Sequence, residues 1–263
     1  MNSIPIGIID SGSGGLSIWK EITRLLPGES TVYIGDHANL PYSDKSTEFI
    51  RHRVFKLIQL LITLRVKLIV IACNTATVAG IDWYREQFPD IPIIGVVPVI
   101  KTAAEVSKTK HITILSTVYT ANSSYQQKLI QTFASTCHVD VLSSSRIVQC
   151  IESPKKNTKQ IQKELQLLLK TQNTSIDTLV LGCTHFPFIS QEIRLIVGPN
   201  VQLLDSGGAV ARHVQHILMH NSIQTSDSKG THIFYTTGNC STVTKIFKKL
   251  LQRAIVVVKA AIE

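Results

Sequence analysis

Short runs of aliphatic and β-branched residues alternate with amphipathic stretches along almost the whole chain. Several of these runs are continuously apolar, as in Leu-Ile-Val-Ile-Ala at 68–72. Continuous apolar runs are typical of strands in a parallel sheet that is covered on both faces. The pattern predicts nine strands: Ile4–Ile9, Thr31–Gly35, Leu68–Ala72, Ile93–Gly95, Ile112–Leu115, Val139–Leu142, Thr178–Leu181, Val201–Leu204 and Ile233–Tyr235.

The stretches between these runs have helical periodicity. Glu48–Leu64 and Thr158–Lys170 each place apolar residues on one stripe at a spacing of three and four. Ser46 or Thr47 offers an N-cap for the first of these helices. Strands that alternate with helices at this rhythm predict an α/β doubly wound fold with mainly parallel sheets.

Two pairs of segments echo each other along the chain. Cys73 and Cys183 each follow a buried strand and precede two polar residues. Asp10-Ser-Gly and Asp205-Ser-Gly also both follow predicted strands. The echoes indicate two related α/β units, each with a thiol at the carboxyl end of a strand, where open α/β sheets bind ligands.

The composition excludes several classes of protein. Of the 263 residues, 44% are hydrophobic and 17% are charged, and the mean hydropathy is +0.16, so long intrinsic disorder is excluded. No apolar run approaches the ~18 residues of a transmembrane helix. The first residues, Met-Asn-Ser-Ile-Pro, carry no basic segment of a signal peptide. We therefore expect a soluble, cytoplasmic protein.

The chain carries a formal net charge of +9. Such a charge attracts nucleic acid or anionic small molecules. The basic residues are scattered, however, and the densest groups lack interleaved aromatic residues. A solvated basic face is the favoured interpretation, with nucleic-acid binding only as a secondary property.

Five cysteines are present, with wide spacing and no Cys-x-x-Cys motif. This count and spacing argue against a disulfide framework and a ribbon-type zinc site. Polar residues directly follow Cys73 and Cys183, where a packed core would continue with apolar ones. A helix N-terminus after each thiol is expected to lower its pKa. These two thiols are candidates for chemistry, and Cys137, Cys150 and Cys240 are expected to be structural.

Other polar residues near strand ends have two interpretations each. The glycine-rich loop at 10–15 is either a tight turn or a nest of amides, with the Asp10 carboxylate aimed into a cleft. Tyr42 is either a satisfied, half-buried aromatic residue or a donor to a ligand carboxylate. Glu152, taken alone, has the pattern of a surface acid.

Taken together, these motifs resemble those of the glutamate racemases, which are cofactor-independent amino-acid racemases. The resemblance spans roughly residues 5–220 in the expected order. It rests on Asp-Ser-Gly-x-Gly-Gly at 10–15, Pro-Tyr at 41–42, Ala-Cys-Asn-Thr-Ala at 72–76, Gly-Val-Val-Pro at 95–98, Gly-Cys-Thr-His-Phe-Pro at 182–187 and Leu-Asp-Ser-Gly at 204–207.

The resemblance implies two similar α/β domains with the active site in the cleft between them. We expect one domain from 1–98 with 207–263 and the other from 99–206. The resemblance also implies a homodimer, no cofactor and no metal, and a bacterial role in supplying D-glutamate for peptidoglycan, and hence for cell shape.

Carried over residue by residue, the resemblance makes Cys73 and Cys183 the acid and base, with Asp10, Glu152 and His185 tuning these thiols. Cys73 would deprotonate D-glutamate and Cys183 L-glutamate. Ser43 stands where the family has glycine, so the backbone approach there is expected to differ. The implied substrate contacts are Asp10, Ser11, Tyr42, Ser43, Asn74, Thr75, Thr184 and His185.

Several alternatives stay open from the residues alone. The nearest is an aspartate racemase that uses the same paired thiols, because one methylene is worth only ~1–3 kcal/mol of discrimination. A Cys–His hydrolase with Cys183 as nucleophile and His185 as base is the second. A zinc site of Cys73, Cys183 and His185, and a nucleic-acid binder, are the others.

Overall fold

Two parallel sheets organise the computed structural model, which describes residues 4–155, 157–169 and 176–262. The strands are β1 (Ile6–Asp10), β2 (Thr31–Gly35), β3 (Leu68–Ile71), β4 (Ile93–Gly95), β5 (His111–Ser116), β6 (His138–Ser143), β7 (Thr178–Gly182), β8 (Gln202–Leu204), β9 (His232–Thr236) and β10 (Val257–Lys259). The helices are α1 (Leu16–Leu25), α2 (Thr47–Thr63), α3 (Asn74–Gln87), α4 (Ile100–Val106), α5 (Val118–Ala121), α6 (Ser124–Phe133), α7 (Ser145–Ile151), α8 (Thr158–Leu169), α9 (Ser190–Val197), α10 (Gly207–His220) and α11 (Cys240–Leu251).

Sheet A has the strand order β10-β9-β2-β1-β3-β4, and its strand pairs are parallel. Successive side chains of a strand point to opposite faces. Ile8 of β1 therefore packs with α1, α10 and α11, whereas Ile9 packs with α2 and α3 on the other face. Both faces of the sheet are covered, which explains why its central strands read as continuous apolar runs.

Sheet B has the order β6-β5-β7-β8, again with parallel pairs. Its two faces are covered by α4 and α6 on one side and by α7, α8 and α9 on the other. The molecule therefore has two mainly parallel α/β domains, as the sequence predicts. The predicted boundaries, after residues 98 and 206, fall between β4 and α4 and between β8 and α10, and this division stays a prediction.

Each of the nine predicted strands is present, with ends that differ by up to two residues. Ser46, one of the two predicted N-caps, caps the α2 helix. Its side chain accepts a hydrogen bond from the Phe49 N–H. The sequence analysis missed β10, a three-residue edge strand too short to stand out as an apolar run. Lys170, the predicted end of α8, lies outside the described residues.

The order β2-β1-β3-β4 of sheet A recurs in sheet B as β6-β5-β7-β8. Cys73 and Cys183 follow the equivalent strands β3 and β7, so their echo reflects equivalent positions. Asp10 is the last residue of β1 and Asp205 follows β8, and these strands are not equivalent. The second echo was therefore a wrong indication of duplication, and Asp205 instead accepts from the Gly207 N–H at the start of α10.

All five cysteines lie in the described part of the chain and are free thiols. None of the helices in the described ranges combines the length and the apolarity needed to cross a membrane.

Candidate active site

The two candidate thiols line one small cavity at the carboxyl ends of the central strands of both sheets. Cys73 is the N-cap of α3 in the domain of sheet A, and Cys183 directly follows β7 in the domain of sheet B. Both are buried. The cavity is lined by Ser11, Leu40, Pro41, Tyr42, Ser43, Cys73, Asn74, Thr75, Thr117, Val148, Cys183, Thr184 and His185.

The environment of Cys73 favours the neutral thiol. Burial raises its pKa well above the ordinary value, and the charge of Asp10 raises it further. The N–H of Ala76 donates to the sulfur at 3.5 Å, and the thiol lies 3.7 Å from Ser11 Oγ, but these bonds offset only part of the rise. The expectation that the start of α3 would lower the Cys73 pKa was therefore wrong, because desolvation is the larger effect.

On the opposite side, Cys183, His185 and Glu152 form a hydrogen-bonded chain. His185 Nδ1 lies 3.6 Å from the Cys183 sulfur, and Nε2 donates to Glu152 Oε1 at 2.7 Å. A short 3₁₀ helix, Phe186–Ile189, follows His185 in place of the expected α-helix. The imidazole is thus held in one orientation by a sulfur on one side and a carboxylate on the other.

The charges of Glu152 and His185 are set by the groups to which they are hydrogen-bonded. Burial alone would raise the pKa of Glu152, but its bond to His185 and the charges around it lower the pKa to about 2. Burial likewise disfavours the charged His185, yet its bonds to Cys183 and Glu152 raise the pKa of the imidazole well above its usual value. At neutral pH the pair is therefore an imidazolium and a carboxylate, with both ring N–H groups available as donors.

Glu152 is deeply buried, so its interpretation as a surface acid was wrong. Its carboxylate accepts from the Ser13 N–H at 2.6 Å and from Ser13 Oγ at 2.8 Å, across the contact between the domains. His37 Nε2 lies 3.8 Å from the same carboxylate. Glu152 is in the domain of sheet B and Ser13 is in the domain of sheet A, so this carboxylate joins the two.

The glycine-rich loop makes room for these side chains. A Cβ atom on Gly12 would lie 2.4 Å from Glu152 Oε1, and one on Gly14 would lie 2.4 Å from His185 Nδ1. The loop amides of Gly12 and Gly15 donate to Asp10, while that of Ser13 donates to Glu152. The amides therefore bind the protein's own carboxylates rather than forming a free nest for a ligand.

Asp10 is fully buried beside this loop and is not among the described residues that line the cavity. Its Oδ2 accepts from the N–H groups of Gly12 and Gly15 at 3.1 and 3.0 Å. Its Oδ1 is buried and has no hydrogen-bond partner within the described ranges. Burial raises the pKa of this carboxyl, although His185 and the loop amides oppose the rise. An unpartnered buried oxygen is unusual and indicates a place for a donor from a ligand.

Donor groups from both domains point to an anionic ligand in the cavity. Asn74 is buried, and its Nδ2 finds no acceptor in the part of the chain that the structure describes. Thr75 Oγ1 and Thr117 Oγ1 lie 2.9 Å apart, across the contact between the domains. Together with Ser11 and Thr184, these side chains supply hydroxyl and amide donors of the kind that bind a carboxylate.

Tyr42 and Ser43 occupy the predicted wall of the cavity, but their side chains have other partners. The Tyr42 hydroxyl donates to Asp36 Oδ2 at 2.7 Å, so the interpretation as a satisfied, buried aromatic residue applies. Ser43 Oγ donates to Asp44 at 3.0 Å and lies 3.3 Å from Ser145 Oγ of the other domain. The Ser43 hydroxyl, at the position where the resemblance implies glycine, thus adds a contact between the domains.

The sequence analysis missed Thr117, which lines the cavity and caps α5. Thr117 lies one residue beyond β5, as Ser11 lies one residue beyond β1. The equivalence of the two domains could have identified it. The analysis also missed Ser13, whose contact with Glu152 joins residues 139 positions apart and leaves no local signal.

Cys73, Cys183 and His185, the candidate zinc ligands, are not a compact group of ligand atoms within the part of the chain that the structure describes. Within the described residues, a group of three His, Cys, Asp or Glu side chains with all ligand atoms within 4.8 Å of one another is His111, His138 and Asp140. That group lies at the amino-terminal ends of β5 and β6, away from the cavity.

The chain belongs to the Asp/Glu/hydantoin racemase family, whose sequence model matches residues 6–214. It is an isomerase. The glutamate racemase of Bacillus cereus is 35% identical over 257 residues, which cover 97% of this chain and 95% of that protein. A crystal structure of a glutamate racemase isoform from Bacillus anthracis has a TM-score of 0.90 at 31% identity, covering 99% of this chain and 98% of that one. The Escherichia coli glutamate racemase, solved with L-glutamate and an activator, has a TM-score of 0.87 at 32% identity and covers 99% of both chains.

Gly14→Ala tests whether the close approach of His185 matters. The added methyl would displace a buried imidazole that Cys183 and Glu152 hold, so we expect roughly a 100-fold loss of racemase activity. Gly208→Ala is the matched control, because within the described ranges its Cβ would meet only Arg212 Nη1, at 3.4 Å. Activity and unfolding free energy would be measured for both variants. Unchanged activity in Gly14→Ala would contradict the geometry of this site.

Glu152→Gln tests the electrostatic coupling within the hydrogen-bonded chain. Because the carboxylate favours the imidazolium, its neutral replacement should lower the pKa of His185, so that the ring loses its charge at a lower pH than in the unmodified protein. Loss of a charge-assisted hydrogen bond costs about 1.5–3 kcal/mol, or roughly 10–100-fold in kcat/KM. NMR titration of the ring and the alkaline limb of the activity profile give the two measurements. Glu164→Gln, which removes an ion pair with Arg146 and leaves the bond between Glu152 and His185 intact, should leave both unchanged.

Proposed function

We propose that the chain is a glutamate racemase that interconverts L- and D-glutamate with two thiols and no cofactor. The observation that carries the proposal is that Cys73 and Cys183, from different domains, line one cavity together with Asn74, whose buried Nδ2 has no acceptor among the described residues. The relatives described above support glutamate as the substrate, and the Escherichia coli relative holds L-glutamate in its structure.

Racemisation removes a proton from one face of the substrate Cα and adds a proton to the opposite face. A thiolate on one side removes the proton from Cα, and the electron pair of the C–H bond passes into the carboxylate as enediolate character. The thiol on the other side then delivers its proton to Cα, and its own S–H electron pair leaves a thiolate. The two sulfurs exchange protonation states in each turnover, so the reverse reaction uses the same groups in opposite roles.

The surroundings of the two thiols suit the direction from L- to D-glutamate. Cys73 is held as a neutral thiol by burial and by Asp10, so it is ready to donate a proton. Charged His185 donates from Nδ1 to Cys183 when the latter is a thiolate. The resemblance assigns L-glutamate to Cys183, so with Cys183 as base and Cys73 as acid the cycle begins by taking the proton from L-glutamate.

The thiols need help from the cavity. A turnover of ~10 s⁻¹ corresponds to a barrier of about 16 kcal/mol, which allows a mismatch of only about 12 pK units between the thiol and the carbon acid. The α-proton of an amino acid is a weaker acid than that. Preorganised donors on the substrate carboxylate must therefore stabilise the enediolate, and Asn74, Thr75 and Thr117 are placed to do so.

The substrate ammonium requires a negative partner of its own. Asp10 Oδ1 is a buried acceptor without a partner among the residues described, and it is close enough to raise the pKa of Cys73 by its charge. We assign the ammonium to this carboxylate. Keeping the ammonium charged makes the neighbouring α-proton more acidic, and its charge also offsets the effect of Asp10 on Cys73.

The wider role is the one that the resemblance implies. We propose that the protein acts in the cytoplasm of a bacterium, that it supplies D-glutamate for peptidoglycan, and that it forms a homodimer. If this chain restores the growth of a strain that requires D-glutamate, that result would support the role in D-glutamate supply. Sedimentation of the purified protein tests the dimer.

The hydrogen-bonded chain of Cys183, His185 and Glu152 also favours a second candidate, a thiol hydrolase. Nucleophile, base and orienting carboxylate follow one another there in the order that such enzymes use. A hydrolase has no task for Cys73, however. A covalent acyl-enzyme seen by mass spectrometry would favour this candidate over the racemase.

Removing either thiol tests the two-base proposal. Cys73→Ala and Cys183→Ala should each abolish racemisation, measured by circular dichroism on D- and L-glutamate without added cofactor. Each variant should retain slow exchange of the α-hydrogen of one enantiomer in D₂O, because one base is still present. By the assignment above, Cys73→Ala would exchange L-glutamate.

Cys240→Ser is the control for this test. Cys240 lies at the start of α11 and is not among the described residues that line the cavity, so its loss should leave turnover unchanged. Near-normal racemisation in either alanine variant would refute the two-base mechanism. Assays on glutamate and aspartate side by side decide which substrate the cavity accepts.

A further inference from the structure

A second cluster of ligand-type side chains lies at the far end of sheet B from the thiols. His111 begins β5 and His138 begins β6, and the two residues are partners in the parallel ladder. Asp140 is two residues along β6, so its side chain lies on the same face as that of His138. The backbone hydrogen bonds of the sheet therefore fix the spacing of all three residues.

The ligand atoms of this cluster are close together. His111 Nε2 lies 2.8 Å from Asp140 Oδ2, and His138 Nε2 lies 3.3 Å from Asp140 Oδ1. The two imidazole rings are 4.4 Å apart at an interplanar angle of 87°. Ligand atoms about 2.1 Å from one ion, at angles of 90–109°, are separated by roughly 3.0–3.4 Å. The 3.3 Å separation lies in this range, and the 2.8 Å separation, which is a hydrogen bond here, needs to lengthen by only a few tenths of an ångström to admit a shared cation.

The chemistry of the set selects the ion. Two imidazoles and a carboxylate suit zinc, nickel or copper rather than calcium or magnesium, which prefer oxygen ligands. The His111 side chain is only 9% exposed, whereas that of His138 is 69% exposed and leaves a route from solvent. Cys137, the neighbour of His138, packs toward the opposite face of the sheet and does not compete for the ion.

We propose that His111, His138 and Asp140 form a binding site for a divalent transition-metal ion, separate from the racemase site. The ion takes Nε2 of both rings and a carboxylate oxygen, so each neutral ring carries its remaining proton on Nδ1. Solvent completes the coordination. The site lies at the amino-terminal ends of the strands, opposite to the thiol cavity, and has no part in proton transfer.

Calorimetric titration of the protein with zinc tests this site. Because His138 is exposed, His138→Ala should fold normally and lose at least about tenfold in zinc affinity. His216→Ala is the control, since His216 and His220 on α10 are exposed, four residues apart, and offer a competing pair. The control should retain the binding. In NMR spectra, the ring signals of His111 and His138 should shift first as zinc is added.

Equal affinity in the wild-type protein and His138→Ala would overturn the proposal. So would loss of binding in His216→Ala alone, because the ion would then occupy α10. Racemase activity serves only to show that the variants are folded, and it should be the same in all three proteins.

Lys249 of α11, a helix of the sheet A domain, contacts the backbone of the other domain. Its Nζ donates to the carbonyl oxygen of Ile151 at 2.8 Å and to that of Ser153 at 2.5 Å. These carbonyls flank Glu152, which follows the last turn of α7 in the other domain. A cation on the free carbonyls at a helix C-terminus is favourable, and here it reaches across the domains.

We infer that Lys249 is a positioning residue for Glu152. By fixing the backbone on both sides of Glu152, it directs the carboxylate toward Ser13 and His185. A shift of even part of an ångström would lengthen the 2.7 Å bond between Glu152 and His185. The kinetic part of this inference rests on the proposed function, whereas the effect on the His185 ring does not.

Three variants test the inference: Lys249→Met, Lys249→Arg and Lys248→Met. Lys249→Met should lower kcat/KM at least about tenfold and move the NMR titration of His185 to lower pH, as expected for Glu152→Gln. Lys249→Arg should restore part of both effects, because its guanidinium can reach the same carbonyls. Lys248 is exposed on the same helix, and its loss should change neither quantity.

If Lys249→Met lowers the unfolding free energy but leaves the His185 titration in place, the residue is merely structural and the inference is wrong. If the titration moves in a protein that does not racemise glutamate, the positioning role stands and the proposed function fails. The two results are therefore distinguishable.

Discussion

The buried carboxylate of Glu152 is the constraint around which the site is built. A charge in the protein interior is costly unless donors surround it. Glu152 obtains its donors from both domains: Ser13 on one side and His185 on the other. The carboxylate can therefore be both buried and charged only while the two domains are in contact, and that contact in turn requires Gly12 and Gly14 to lack side chains.

This constraint also separates the two thiols electrostatically. Cys183 is next to an imidazolium that Glu152 keeps charged, whereas Cys73 is next to Asp10, whose charge opposes a thiolate. Two sulfurs at topologically equivalent positions thus have unlike environments. Equivalent strands place them, and the loops that differ between the domains give each its own chemistry.

The parts of this protein that could be predicted from the sequence are those that depend on local pattern. Continuous apolar runs identified the strands, because both faces of each sheet are covered. The strand ends then identified Cys73 and Cys183, since parallel strands of α/β domains carry their ligands at that edge. The polar residues after each thiol marked the cavity wall, and Asn74 and Thr184 do line it.

The parts that could not be predicted depend on contacts between distant residues. Glu152 resembled a surface acid because nothing near it in the chain shows that Ser13 and His185 will surround it. The pKa of Cys73 was misjudged because the start of a helix can be read from the sequence and the depth of burial cannot. Tyr42 was ambiguous because the partner of its hydroxyl, Asp36, becomes evident only when the loop between them is folded.

The hydrogen bonds at the rim of the cavity have one more consequence. Three of these side-chain hydrogen bonds join the two domains around the buried thiols. They pair Thr75 with Thr117, Ser43 with Ser145, and Thr47 with Tyr119. Because both thiols are buried behind these bonds, we expect a substrate to enter and leave when the bonds at the rim are broken. Opening and chemistry would then alternate in time, and the frequency of opening would set an upper bound on turnover, whatever the speed of the proton transfers inside.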